Sequence, residues 1–121
     1  MKIAKLLHKK KVILSEMKYA TSTYEISKGL MFSSKKKISK GMCLVMPSSK
    51  DVKFGASVTM MFCFSSMEII FVNSNMQVVD KVILKPWKMS YTPKKECRYV
   101  IESTIGTFKN INIDDIISIE L

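Results

Sequence analysis

The sequence predicts a mainly β (α+β) domain: a small antiparallel, barrel-like sheet with one or two short helices. The first observation behind this prediction is a series of short apolar runs, rich in branched and aromatic residues, that alternate with polar segments. The second is the close spacing of these runs, which leaves room for only one or two short helices. The third is that 121 residues, 47% of them hydrophobic and 25% charged, suit a single folded domain spanning residues 1–121.

The first strands are predicted at the amino-terminal end. Residues 12–19 are rich in branched and aromatic side chains, which favour strands. Residues 3–7 form a shorter apolar run that can pair with them. The lysines at positions 9–11 separate the two runs. We therefore expect a hairpin with an exposed, basic turn.

A short helix is predicted next. Ser22 and Glu25 have the spacing of a capping box, and Gly29 is suited to a left-handed position at the helix end. The helix is expected at residues 23–28. Residues 33–40 are polar and rich in lysine, and we expect a loop there.

The central part of the chain predicts three apolar strands. Residues 42–46 form a strand that stops at Pro47, and residues 48–55 are polar enough for a loop. Residues 57–64 and 68–72 are predicted as two further strands.

The remaining elements follow from turn residues and apolar runs. The sequence Asn73-Ser74-Asn75 predicts the turn of a hairpin between strand 68–72 and a strand at 77–84. The last segments are predicted, in order, as an irregular loop between Pro86 and Pro93, a strand at 98–102, a short helix at 104–110 and a strand at 116–121.

The charge is strongly basic and unevenly placed. Twenty basic residues meet ten acidic ones, and the whole net charge of +10 lies before Phe54. Arg98 is the only arginine, which disfavours bidentate reading of guanine or phosphate. Two lysine runs are candidate contacts for a nucleic acid or another polyanion, and a solvated surface is the alternative. They comprise Lys9, Lys10, Lys11, Lys35, Lys36 and Lys37.

Three cysteines and one histidine limit the chemistry of metals and nucleophiles. Cys43, Cys63 and Cys97 are far apart and lack paired spacing, which favours reduced thiols in a core. A zinc site would need all three together with another ligand, so we predict no metal and no cofactor. Because His8 is the only histidine, Ser-His or Cys-His catalysis would require the amino terminus to fold back.

No membrane segment or export signal is predicted. The amino-terminal apolar steps are broken by lysine before they reach the length of a signal-peptide core. The longest apolar stretch, residues 56–72, contains Glu68 and several hydroxyl side chains, which is unfavourable inside a bilayer. We therefore expect a cytoplasmic protein.

Two segments are candidate binding or catalytic sites. The loop that begins at Pro86 holds Trp87 and Tyr91, with Lys85 and Lys88 beside them, and this pattern suits a base or another planar ligand. A tryptophan in such a loop is also typical of a plug that closes a small barrel. Glu68 interrupts an apolar strand and is a candidate general base, with pairing to a lysine or exposure to solvent as the alternative.

A series of short motifs, in order, resembles a known family. They are Gly29-Leu30-Met31-Phe32, Lys40-Gly41-Met42 with a strand ending at Pro47, an apolar pair of strands through Phe71, Leu84-Lys85-Pro86-Trp87, Tyr99-Val100-Ile101-Glu102, Gly106 and Asp115. Over residues 12–121 the chain is similar to the uncharacterised prokaryotic family called domain of unknown function 192. The resemblance implies a β-rich, barrel-like fold and no established activity, cofactor or catalytic residue.

The chain departs from that family at several polar positions. Where similar members usually have a histidine, an arginine, a proline and an aspartate, this chain has Thr59, Phe64, Ser66 and Glu68. The usual Gly-Asp before the last strand is Asp114-Asp115, which is tolerable because aspartate can adopt a positive φ in a turn.

Three functions from different classes therefore remain open. The leading hypothesis is a non-catalytic domain that binds an unknown small ligand or protein partner at the loop of residues 86–91, which we call the Trp87 loop. The alternative is a basic nucleic-acid-binding module that uses the lysine-rich amino-terminal half. A third is an enzyme with Glu68 as its base.

Overall fold

The computed structural model describes residues 2–31 and 33–121, and its main element is a seven-stranded sheet. The strands are β1 (Lys2–His8), β2 (Lys11–Ala20), β3 (Met42–Val45), β4 (Met67–Val72), β5 (Val78–Leu84), β6 (Tyr99–Ser103) and β7 (Ile117–Glu120). The helices are α1 (Thr23–Lys28) and α2 (Lys35–Lys40), and Phe54–Ala56 forms one 3-10 turn. The predicted mainly β fold is confirmed, and each of these strands was predicted to within about two residues.

The sheet is curled into a half-barrel. Its strand order is β5-β4-β6-β3-β2-β1-β7, and all neighbours are antiparallel except β2 and β3. That parallel pair is possible because the intervening residues 21–41, with both helices, reverse the chain so that β3 begins opposite Lys18, near the carboxyl end of β2. The start of β5 bonds to the chain next to β7, where the Val78 amide donates to the Asp115 carbonyl at 2.9 Å. The two edges of the sheet therefore approach each other at one end.

Several local features of the sequence form as predicted. Lys9 and Lys10 have φ of 50° and 66°, as the tight turn of the β1–β2 hairpin requires. The capping box of α1 is complete, because the Ser22 hydroxyl accepts from the Glu25 amide at 3.1 Å. Gly29 ends this helix with a positive φ of 51° but a ψ of −128°, outside the left-handed helical region. Asp114 has a φ of 79°, as expected for the residue that replaces a glycine.

The loop predicted at residues 33–40 is wrong, because residues 35–40 form α2. The Ser34 hydroxyl accepts a hydrogen bond from the Lys37 amide at 3.3 Å and caps the helix. Ile38 is buried and attaches the helix to the sheet. Lysine has a good helix propensity, so a polar run with one apolar anchor is enough for a short helix.

The strand predicted at residues 57–64 is also wrong. Val58 makes an isolated bridge to Tyr91, and Phe62 has a φ of 61° that no regular strand contains. The apolar residues of this segment are nevertheless buried, Val58, Met60 and Cys63 among them. The apolar pattern therefore marked burial correctly, but the segment packs as an irregular cover over the sheet.

The short helix predicted at residues 104–110 is absent from the described chain. Consecutive turns form instead, in which the Thr107 amide donates to the Thr104 carbonyl and the Lys109 amide to the Gly106 carbonyl. Gly106 has a φ of 94°, which interrupts any helical path.

The core has two layers, one on each face of the central strands. Met67, Ile69 and Phe71 of β4 point to the face covered by α1, α2 and residues 54–63. Ile70 and Val72 point to the other face, which packs against β1, β2, β7 and the turns at 104–111. Alternate residues of one strand thus belong to different layers.

The three cysteines are free and buried, which leads to a testable expectation. Burial raises the pKa of Cys97 to about 12 and also raises the pKa of Cys43, so neither thiol ionises near neutral pH. A thiol reagent should react slowly with the folded protein and find three thiols after denaturation. Loss of two thiols in the absence of a reductant would contradict this expectation.

Candidate functional site

One cavity lies on the helix-covered face of the sheet. It has a volume of about 350 Å³ and is enclosed by α1, the residues that follow it, the segment 55–63 and the central strands. Its walls are mostly apolar and include Leu30, Leu44, Met46, Val58, Met67 and Val100. Such a size and lining are typical of sites for small molecules. We call this space the Glu102 cavity, after the only carboxylate among its described lining residues.

Glu102 lies in the middle of the sheet. It is on β6, where it pairs with Met42 of β3 on one side and Ile69 of β4 on the other. The residue is 3% exposed, and its Oε1 has no hydrogen-bond partner among the described residues. Burial raises the pKa of Glu102 to about 7, because a low-dielectric surrounding disfavours the charged carboxylate. The cavity therefore contains a carboxylic acid that changes its protonation state near neutral pH. Its Oε1 is available to accept a hydrogen bond.

Gly29 covers this carboxyl group. A Cβ atom placed on Gly29 would lie 3.4 Å from Glu102 Oε1, so the end of α1 passes directly over the acid. The positive φ of Gly29 allows the chain to turn there without a side chain. The glycine motif that the sequence placed at the helix end thus also shapes the wall of the cavity.

Cys63 adds a buried thiol to the same wall. Burial, and secondarily the negative charge of Glu102, raise the pKa of Cys63 to about 11. A thiol in this state is protonated and weakly nucleophilic at neutral pH. Cys63 therefore contributes an apolar surface to the cavity. Glu102, by contrast, ionises near neutral pH.

Glu68 is placed on the opposite face of the sheet. Its Oε1 accepts hydrogen bonds from the Gly106 amide at 3.1 Å and the Phe108 amide at 2.8 Å. The Lys81 Nζ lies 3.9 Å from its Oε2 and also donates to the carbonyls of Phe108 and Ile111. Glu68 and Lys81 together attach the turns at 104–111 to the sheet.

The aromatic residues of the Trp87 loop point in different directions. Trp87 is 47% exposed and makes edge-to-face contacts with Phe62 and Phe64, with ring centroids 5.2 and 5.9 Å apart. The Tyr91 hydroxyl points inward and donates to the buried Asp80 carboxylate at 2.6 Å. Lys85 and Lys88 are exposed on the loop surface. Trp87 thus packs against two aromatic rings, whereas the Tyr91 hydroxyl is bound to Asp80 and the Glu68 carboxylate to the turns at 104–111.

The two lysine runs lie at opposite ends of β2. Lys9 and Lys10 form the hairpin turn, and Lys11 is the first residue of the strand. Residues 35–37 are on α2, which packs near the end of β2 that contains Lys18. The rise of a strand places Lys11 and Lys18 roughly 20 Å apart. The two runs therefore do not form one continuous surface.

Glu102 is not among the site residues that the sequence predicts. The signal was present, because Glu102 ends the apolar run Tyr99-Val100-Ile101 just as Glu68 interrupts another one. An acidic residue in a buried strand is costly unless it is paired or functional. Only the fold shows that Glu68 is paired and that Glu102 Oε1 is not.

Within residues 2–31 and 33–121, no helix is long and apolar enough to cross a bilayer. In the same residues, no three side chains of histidine, cysteine, aspartate or glutamate are grouped so that they could hold a metal ion.

The fold and the cavity define a class of small, curled β domains with two short helices, and the sequence identifies the family within it. The family DUF192, described as Uncharacterized ACR, matches residues 5–119. The chain belongs to this family, as its resemblance in sequence predicted. One position of the family motif, Phe32, lies outside the described residues. Of the four departures from the family pattern, Thr59 lines the Glu102 cavity and Glu68 faces the other layer.

Curated relatives agree with this assignment. A UPF0127 protein of Pyrococcus furiosus is 31% identical over 106 residues, which are 88% of this chain and 86% of the relative. One from Pyrococcus horikoshii is 35% identical over 79% of this chain and 78% of the relative.

Two solved structures share the fold. A protein of unknown function from Novosphingobium aromaticivorans has a TM-score of 0.79 at 18% identity and covers 96% of this chain and 83% of that one. A putative transcription regulator from Sinorhizobium meliloti has a TM-score of 0.74 at 16% identity and covers 97% of this chain and 90% of that one. Likeness at these identities shows the fold alone, and the family is one of unknown function.

Proposed function

We propose that this domain binds a small ligand in the Glu102 cavity. The ligand is a compact molecule with a mainly apolar body and one group that donates a hydrogen bond. The observation that carries the proposal is the unpartnered Oε1 of Glu102 at the base of an apolar cavity of about 350 Å³. This keeps the small-ligand hypothesis and moves the site from the Trp87 loop to the cavity between α1 and the central strands.

The apolar walls supply the affinity for the body of the ligand. Met46 and Met67 have flexible, polarisable side chains that adapt to ligands of different outline. Removal of apolar ligand surface from water contributes roughly 25 cal/mol for each Å². The apolar contacts are non-directional, so orientation of the ligand requires a polar contact.

Glu102 supplies that polar contact. A buried acceptor without a partner costs about 1–3 kcal/mol, and a ligand N–H or O–H that reaches Oε1 removes this cost. The hydrogen bond is stronger when the acceptor is ionised. Because the pKa of Glu102 is about 7, binding of such a donor should strengthen as the pH rises through neutrality.

The groups near the cavity favour binding over catalysis. The Cys63 thiol is protonated, and His8 is engaged elsewhere, with its Nε2 at 2.9 Å from the Asp115 carboxylate. Neither Cys63 nor His8 therefore provides an activated nucleophile beside Glu102. The Trp87 loop as a partner site and the lysine runs as polyanion contacts stay predictions.

Indole and 1-methylindole test the proposal, since they differ in the N–H donor and share an apolar body. With methionine methyl groups labelled for NMR, indole should shift the Met46 and Met67 resonances, while methionines away from the cavity serve as internal references. We expect 1-methylindole to bind at least about tenfold more weakly, because it leaves Glu102 Oε1 unpaired. Glu102→Leu should abolish this difference.

Glu120→Leu is the matched control, since Glu120 is exposed on edge strand β7. It should leave the preference for indole unchanged. Equal binding of the two probes to the unmodified protein would contradict the role of Glu102. Failure of both probes to shift the cavity methionines would contradict the site itself.

A further inference from the structure

Three lysines from different elements converge on a second recess. Lys18 of β2, Lys28 at the end of α1 and Lys37 of α2 line a space of about 230 Å³. Tyr24 and Ser33 complete its edge. These lysines are far apart in sequence, and only Lys37 belongs to one of the lysine runs. We call this space the lysine recess.

The fold brings these side chains together through the parallel pairing of β2 and β3. Lys18 lies opposite Met42 in that pairing, and its amide donates to the Gly41 carbonyl at 3.3 Å. Gly41 ends α2, so the side chain of Lys18 lies beside this helix. Lys28 ends α1 and reaches the same space from the other side.

The positive charge of the recess is not balanced by the protein. Among residues 2–31 and 33–121, Lys18, Lys28 and Lys37 make no salt bridge, whereas the nearby Lys40 pairs with Glu16 at 3.6 Å. Glu25 is the one carboxylate among the described residues that line the recess, and it accepts hydrogen bonds from the Ser22 amide and hydroxyl. The described lining therefore has an excess of two positive charges.

The mutual repulsion of the lysines acts on the pKa of Lys18. Burial lowers the pKa of Lys18, and the next largest cause is the charge of Lys37, followed by contributions from Lys28 and Lys40. Holding like charges together costs free energy unless an anion lies between them. An anion in the recess would remove this cost.

We propose that the lysine recess binds a nucleotide, with its phosphoryl group between Lys18, Lys28 and Lys37 and its base on Tyr24. A phosphate monoester carries a charge of about −1.5 to −2 at pH 7, which matches the excess charge of the lining. Lysine binds phosphate as a point charge, without the bidentate geometry of arginine. The ring of Tyr24 lines the recess and is 76% exposed, which leaves it free to stack with a base.

The lysine recess is independent of the Glu102 cavity. The two spaces lie on either side of residues 28–30, which contribute to both linings. One space is apolar with a buried acid, and the other is basic with an exposed aromatic ring. Failure of the indole experiment therefore leaves the nucleotide proposal untouched, and the reverse also holds.

Calorimetric titration of the full chain with adenosine monophosphate, adenosine and inorganic phosphate tests the proposal. At low salt, adenosine monophosphate should bind at least about tenfold more tightly than either fragment, because only it has both contacts. Lys18→Gln and Lys37→Gln should each weaken its binding about fivefold or more. Tyr24→Leu should weaken binding of the nucleotide and leave that of inorganic phosphate unchanged.

Lys36→Gln is the matched control. It removes the same charge from the same helix, and Lys36 does not line the recess. We expect a change of less than about twofold, since its charge is screened by solvent and salt. Equal losses for Lys18→Gln, Lys36→Gln and Lys37→Gln would show diffuse attraction and overturn the proposal, as would tight binding that Tyr24→Leu does not affect.

A single-stranded oligoadenylate distinguishes the source of the nucleotide. If the recess takes a nucleotide within a strand, the strand should bind more tightly than the monomer and show the same dependence on Lys18, Lys37 and Tyr24. If it takes a free nucleotide, the strand should bind more weakly than the monomer. Strand binding that depends on Lys9 or Lys10 and not on Lys18 would contradict the assignment to this recess.

Discussion

Glu102→Gln should raise the free energy of unfolding at pH 9 by about 3 kcal/mol relative to the unmodified protein. In the folded state the pKa of Glu102 is about 7, against an ordinary value of 4.5. The folded protein therefore binds more protons than the unfolded chain between these values, so its stability falls as the pH rises through this window. Glutamine has no charge to bury, and its contribution does not change with pH.

The measurement is urea denaturation of both proteins from pH 4 to pH 9. The difference in stability should be small below pH 4.5, grow between pH 4.5 and pH 7, and become constant above. Glu120→Gln is the control, because Glu120 is exposed and its variant should follow the unmodified protein at every pH. A stability difference for Glu102→Gln that is independent of pH would contradict the raised pKa.

Glu68→Ala should lower the free energy of unfolding by about 3–5 kcal/mol. The change leaves the amides of Gly106 and Phe108 without their acceptor and removes the carboxylate next to Lys81. Because Glu68 is buried, water does not replace these contacts easily. We also expect the turns at 104–111 to exchange their amide hydrogens faster than the rest of the sheet.

Two further variants show which contact matters. Glu68→Gln keeps an acceptor for the two amides and loses the charge, so its cost should be smaller than that of Glu68→Ala. Glu96→Ala, in an exposed loop, should change stability by less than about 0.5 kcal/mol. If Glu68→Ala cost no more than Glu96→Ala, the attachment of these turns through Glu68 would be wrong.

These two glutamates show why a site cannot be located from the pattern of the chain alone. Each is an acid in an apolar run that forms a buried strand. Glu68 points to the layer where the turns at 104–111 offer two amides, and Glu102 points to the layer below Gly29. The partners of both come from residues distant in sequence, so the pairing of one and the isolation of the other depend on the assembled sheet.

The errors in secondary structure have a related cause. Residues 57–64 are apolar because they are buried, but their backbone bonds to the Trp87 loop, as in the Met60 amide donating to the Lys88 carbonyl at 2.8 Å. Residues 35–40 are polar because α2 is a surface helix with one buried side chain, Ile38. The apolar content of a segment predicts that it is buried. Whether the segment is a helix or a strand is predicted only where its apolar residues recur at a regular spacing.

The sequence by itself determined the family, the mainly β class, the positions of the seven strands that form the sheet, the first helix with its capping box and the hairpin turns. These features depend on local propensity, local hydrogen bonds and the period of apolar residues, all of which are readable along the chain. The tertiary structure alone decided the strand order, the Glu102 cavity and the convergence of Lys18, Lys28 and Lys37. The physical reason is that a buried carboxyl oxygen without a partner and a repulsion between lysines both depend on which atoms lie close in space. The parallel pairing of β2 with β3 brings together residues that are distant along the chain.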